Sequence, residues 1–175
     1  DYDPSKDTYE TAKTAKKILG ATSGGSTFTA TKNGHYLDID GVAENTKGNW
    51  ILDSWAANLQ TTVKEITAEN LRLSLAAAKL SAGDSTAGQD YTTITPKAVL
   101  EDGDYIGSLS YIGRISGSEK PVVITIFNAF NTADLSVNPK DGEEGTLALT
   151  LTAHYSLEEP DTPPFKIYYP TISEA

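Results

Sequence analysis

The sequence predicts a mainly β protein: an antiparallel β-sandwich or split barrel with one flanking α-helix over about residues 68–80. Three observations predict it. Short segments alternate apolar and polar residues, which is the period of a half-buried strand. Turn signals separate these segments at hairpin spacing, so neighbours pair antiparallel. A single stretch, "AENLRLSLAAAKL", is dominated by strong helix formers.

Residues 1–17 are polar and mixed in charge and read as a flexible N-terminal arm, leaving 18–175 as one domain. "STFTAT" alternates, with Phe28 and Ala30 opposite Thr27, Thr29 and Thr31. "KNG" (32–34) is a turn signal and "HYLDID" alternates again; "GVAENTKGN" (41–49) is a long polar excursion. In "SWAANLQTTVKEI", Trp55, Ala57, Leu59, Thr61 and Val63 share one face, and Ser54, Ala56, Asn58, Gln60, Thr62 and Lys64 the other.

The helix follows. Thr67 is its expected N-cap, and Ile66 and Leu71 form a hydrophobic staple. Read as helix to residue 80, it shows two apolar stripes. Ala68, Leu71, Leu75 and Ala78 lie on one side, with Leu73, Ala76, Ala77 and Leu80 nearly opposite. A surface helix of a lone domain needs one stripe. Either small Ala side chains tolerate exposure, or the second stripe meets a neighbouring subunit.

"SAGDSTAGQD" (81–90) reads as a loop. "YTTITP", "YIGSLSYIGRISG", "KPVVITIFNAF", "TLALTLTAHY" and "FKIYY" read as strands. "NPKDGEEG" (138–145) is an acidic loop.

Composition narrows the function. There is no Cys, which excludes disulfides, thiolate zinc sites and cysteine nucleophiles. There is no Met, so residues are expected to precede residue 1. No apolar run approaches the ~18 residues of a membrane span. Charge is 14 positive against 24 negative, a net of −10, which repels nucleic acid at long range.

The motifs point away from catalysis. "LGATSGGST" (19–27) almost spells a phosphate loop, but Ser26 stands where the Lys belongs and a strand follows instead of a helix. "DIDG" (38–41) opens like a calcium loop without the later Glu, and "EDGD" and "DGEEG" read as solvated acidic turns. His35 falls in a turn and His154 on the polar face of a strand, and no G-x-S-x-G elbow is present. Trp50 and Trp55 read as core or interface residues. Long strands thus combine an apolar face with a face of Thr, Ser, Asn, Gln and Ala, the pattern of a building block.

Four segments then carry a resemblance. They are "KKILGATSGGSTFTAT", "YLDIDGVAENTKGNWILDSWAANLQTTVKEITAENLRLSLAAA", "YIGRISGSEKPVVITIFNAF" and "EEGTLALTLTAHYSLEEPDTPPFKIYYP". In this order, from about Lys16 to Pro170, the chain resembles a major tail protein, or tail tube protein, of tailed bacteriophages and prophages of Gram-positive bacteria. The resemblance implies a non-enzymatic, cofactor-free virion subunit. It implies hexameric rings, assembled in the host cytoplasm and stacked into a hollow tube. Viral DNA would cross the lumen without specific binding. Partners would be copies of itself and the tape-measure, terminator and distal tail proteins, with no membrane. On that reading Asn58, Gln60, Thr62, Thr150 and Thr152 line the lumen. Leu73, Ala76, Ala77 and Leu80 meet a ring neighbour. Val42, Glu44, Asn45, Lys47 and Asn49 contact the next ring. The alternatives are a secreted carbohydrate-binding or adhesion β-sandwich, with an aromatic platform and calcium at the acidic turns, and a hydrolase with a scattered acidic site.

Overall fold

The computed structural model describes residues 3, 6–15, 17–84, 88–137 and 145–171. Most of the acidic stretch 138–145 lies outside them. The fold is mainly β, with antiparallel pairing throughout and a flanking helix. Strands β1 (Thr22–Tyr36) and β2 (Trp50–Val63) form one long hairpin. β3 (Ala78–Asp84) and β4 (Gly88–Pro96) form a separate two-stranded sheet. β5 (Ile106–Gly113), β6 (Val122–Asn131), β7 (Leu147–Thr152) and β8 (Phe165–Tyr168) complete the body.

The sheet order is β1-β2-β7-β6-β5, and β6 joins two layers. β5 pairs with one edge of β6 along Val122–Ala129. The other edge meets β8 along Val123–Ile126, then β7 at Phe130 and Asn131. Between these partners, Phe127 donates its N–H to Pro164 O and accepts from His154 N. Asn128 follows at φ 47°, a left-handed conformation that Asn tolerates better than most residues, and the strand bends there from one layer to the other.

The core lies between the layers. Ala57, Leu59 and Val63 of β2 and Leu147, Leu149 and Leu151 of β7 meet Ile126 and Ala129 of β6. The odd-numbered alternation read from "SWAANLQTTV" and "TLALTLTAHY" produces this face. At the seam between β2 and β8, Phe165 packs edge-on to Trp55 and tilted on Phe28, each at 5.6 Å. The Trp55 N–H donates to Tyr155 Oη at 2.7 Å.

Helix α2 spans Ala68–Leu75, with Thr67 Oγ1 accepting from the Asn70 N–H as its cap. Its seat is polar. Asn70 Nδ2 donates to Leu19 O and Glu65 O. Asn131 Nδ2 donates to Ser74 O, while its Oδ1 accepts from Thr150 N. One amide therefore ties the helix end to β7.

Four expectations need correction. The helix stops at Leu75, not near 80, because Ala76 turns out of it at φ 57°, ψ −77°. Residues 78–80 are strand. Segment 81–90 is no simple loop: 81–84 and 88–90 are the paired strands of a hairpin, and 85–87 lie outside the described residues. "KNG" does not turn, since β1 runs through it and the turn comes after Tyr36. His35 is accordingly in a strand. The arm at 1–17 contains a short helix, α1 (Tyr9–Thr14), capped by Thr8 and burying no residue.

Candidate functional site

The site is the sheet face opposite the core. In register, Thr29, Asn58 and Thr152 form one row across β1, β2 and β7, and Thr27, Gln60 and Thr150 form the next. Thr31 and Ala56 extend the face at one end, and Ser23, Thr62 and Ala148 at the other. All five residues expected at the lumen thus lie side by side, on the face where alternation put them. Thr27, Thr29 and Thr31 belong with them. Their own alternation was readable, but only the β1–β2 pairing brings them beside β2.

No charged residue occupies these rows. Lys32 alternates to the other side, where its Nζ lies 5.7 Å from the centre of the Trp55 ring. Hydroxyls partly satisfy one another at the face's edges: Thr132 Oγ1 meets Thr152 Oγ1 at 2.8 Å, and Asn33 Nδ2 donates to Ser54 Oγ at 3.3 Å. Asn58 Oδ1 is buried with no hydrogen-bond partner. Chemically the face exchanges hydrogen bonds with water and offers a polyanion no counter-charge.

A second region lies at the far end of the same hairpin. A β-bulge between Asn33 and Gly34 leaves Asp53 as the extra residue on β2. Past it, Gly34, Tyr36, Trp50 and Leu52 continue the core side of the sheet, and nothing in the described chain covers them. Trp50 remains 38% exposed. A side chain at position 34 would collide with the Ile51 carbonyl and the Trp50 ring, so glycine there lets both come close to the β1 backbone. On the opposite side His35 Nδ1 meets Asp53 Oδ2 at 2.8 Å.

The loop beyond is organised by Asn49, which is 5% exposed. Its Nδ2 donates to Leu37 O and Glu44 O, and its N–H to Thr46 O. Asn49 is therefore internal scaffolding, whereas Val42, Glu44, Asn45 and Lys47 are exposed with Leu37 and Ile39. Asn49 Oδ1 is buried without a partner.

The four residues expected at a ring neighbour do not form a helical stripe. Leu73 is half-buried on α2, Ala76 is its C-cap, the Ala77 carbonyl accepts from Lys97 N, and Leu80 sits in β3 opposite Ile94. There is no second helical stripe, because the helix ends at Leu75 and Ala76, Ala77 and Leu80 lie beyond it.

The glycine stretch is equally informative. Gly20 (φ 100°) lies against the Glu65 carboxylate, and Ala21 N–H donates to Glu65 Oε1 at 2.9 Å. An anion already occupies the turn, so a phosphate would be repelled. Gly24 and Gly25 adopt positive φ at a bulge in β1. His154 stacks on Phe130 at 4.6 Å and 10°, with Nδ1 beside Asn128 O. The two histidines therefore have separate partners. No group of three or more His, Cys, Asp or Glu side chains able to hold a metal occurs among the described residues. No protein-family model matches the chain, and no curated protein sequence matches it.

Proposed function

We propose that this chain is the structural subunit of a bacteriophage tail tube, assembling as stacked hexameric rings into a hollow conduit for viral DNA. One observation carries the reading: an uncharged hydroxyl and amide face spans three adjacent strands of a chain whose net charge is −10. Such a surface stays wetted while DNA slides past and gives it nothing to bind. Asn58, Gln60, Thr62, Thr150 and Thr152 then face the lumen. β1 and β5 end the sheet, and edges of this kind suit head-to-tail contacts that close rings and stack them.

Negative-stain electron microscopy of the concentrated protein, beside a sizing column, tests this. The expected result is hollow tubes of regular axial repeat, or six-membered rings. A species that stays monomeric even when seeded with preformed tail tips overturns it.

The exposed cross-strand pair Tyr36–Trp50 favours one other reading, a carbohydrate-binding or adhesion module with an aromatic platform. That module would be a monomer that retains glycans on an array and loses them with Trp50→Ala.

A further inference from the structure

We infer that Asn33–Gly34 is a masked deamidation site, a covalent modification that the folded β1–β2 hairpin suppresses and that opening of its far half releases. The inference stands on the geometry of the bulge and is independent of the tube reading.

Asn33–Gly34 is the one Asn-Gly pair in the sequence. The chemistry is intrinsic to the pair. The Gly34 backbone nitrogen, on losing its proton to hydroxide, attacks Asn33 Cγ. The N–Cγ bond forms, the Cγ–Nδ2 bond breaks, and ammonia leaves a five-membered succinimide. Water then opens the ring. Attack at Cγ restores the main chain and leaves aspartate at position 33. Attack at the α-carbonyl routes the main chain through the side chain and leaves isoaspartate, with one extra backbone carbon. Glycine is the partner that makes closure easy, because no Cβ shields its nitrogen.

Asn33 is exposed, on the same side of β1 as Thr29 and Thr31, so water reaches it freely. The fold withholds the closing geometry instead. Closure requires Asn33 to leave the extended ψ of a ladder, about +135°, so that the Gly34 nitrogen comes over Cγ. β1 runs as strand through both residues, with Asn33 opposite Ser54 and Gly34 opposite Leu52. Asn33 Nδ2 donates to Ser54 Oγ at 3.3 Å, which ties the carboxamide across the ladder. The Ile51 carbonyl and the Trp50 ring stand where a Cβ of Gly34 would be, and they stop the Gly34 peptide from swinging.

The lock is local. The bulge leaves Asp53 as an extra residue beside the pair, and residues 33–36 and 50–53 are all exposed. The far half can therefore open while the buried side of the near half stays closed. Modification would replace the amide that bonds Ser54 by a carboxylate and place a charge at the end of the uncharged face.

Peptide mapping by mass spectrometry, with an isoaspartate assay, tests this on the full chain in mildly alkaline buffer. Asn33 should convert at least about tenfold more slowly in the folded protein than in the same chain unfolded in urea. Trp50→Ala and Ser54→Ala should each speed the folded conversion at least about threefold and leave the rate in urea unchanged. Asn33→Gln should abolish the isoaspartate signal. Equal rates in folded and unfolded wild type overturn the masking, and an Asn33 that stays an amide in urea overturns the site. A folded rate that neither variant changes overturns the assigned lock. A rise at every asparagine together overturns local opening, because the whole fold would then be the gate.

Discussion

The near and far halves of the β1–β2 hairpin share the same two strands and differ in what covers them. In the near half, Ala57, Leu59 and Val63 lie under the second layer, and the opposite face is uncharged. In the far half, both faces reach solvent. Tyr36, Trp50 and Leu52 continue the apolar side, and His35 and Asp53 occupy the other. The comparison teaches that a strand's apolar face is core only where a second layer exists. Beyond that layer the same pattern leaves an exposed apolar patch.

Substitutions can break this contrast at several levels. The largest effect belongs to the near half. Leu151→Ala empties a fully buried site and should cost about 2–5 kcal/mol in denaturant unfolding. Trp50→Ala should cost clearly less than Leu151→Ala in the same measurement, because Trp50 is already 38% exposed, and would abolish assembly if this patch joins copies of the chain in the proposed tube. Equal destabilisation by both would erase the distinction. Asn131→Ala comes next. It strands Ser74 O and Thr150 N–H in a buried place, an expected loss of about 2–3 kcal/mol, and it should loosen α2 first in amide exchange.

Gly34→Ala should cost about 1–3 kcal/mol, because the added Cβ meets both the Ile51 carbonyl and the Trp50 ring, and the strand and the indole must both shift. Tryptophan emission should shift to the red, and an unchanged spectrum would mean the ring does not depend on the glycine. Replacing Gln60 and Thr150 together by Lys sharpens the contrast on the other face. Stability should change by less than about 0.5 kcal/mol per site. If the chain forms the proposed tube, tubes of this variant should retain DNA in a salt-dependent way and wild-type tubes should not.

The smallest effect is one of pH. Lys97 holds the Asp104 carboxyl below its ordinary value, with the Glu101 N–H adding to this. The hydrogen bonds that Lys97 donates to the Asp104 carboxylate and then to Glu101 raise it above its own. The Asp104 contribution is complete above the ordinary carboxylate range and is lost as pH falls through the lowered value. The Lys97 contribution is complete below the ordinary lysine range and is lost as pH rises through the raised value. The unfolding midpoints of wild type and Asp104→Asn should therefore differ by a constant amount from about pH 5 to 9 and converge in acid.

Local signals were legible where one rule decided the outcome. Period-2 alternation identified the core sides of β2 and β7 and the polar side with Asn58, Gln60, Thr62, Thr150 and Thr152. Thr67 marked the start of α2. The end of α2 was not legible, because Ala76, Ala77 and Leu80 favour helix by themselves. Only the pairing of Leu80 with Ile94 draws that segment into a strand. "KNG" carries every local mark of a turn, yet a long partner strand with a bulge at Asp53 holds it extended.

By itself, then, the sequence determined the β class, the alternation of faces and the charge of −10. These are properties of neighbouring residues and of their sum. The tertiary structure alone decided that three strands lie side by side and merge their polar sides into one uncharged face. It also decided that the second layer stops short of Trp50, and that Lys97 meets Asp104. Those outcomes depend on which strands pair and how far a covering layer extends, and residues distant along the chain set both.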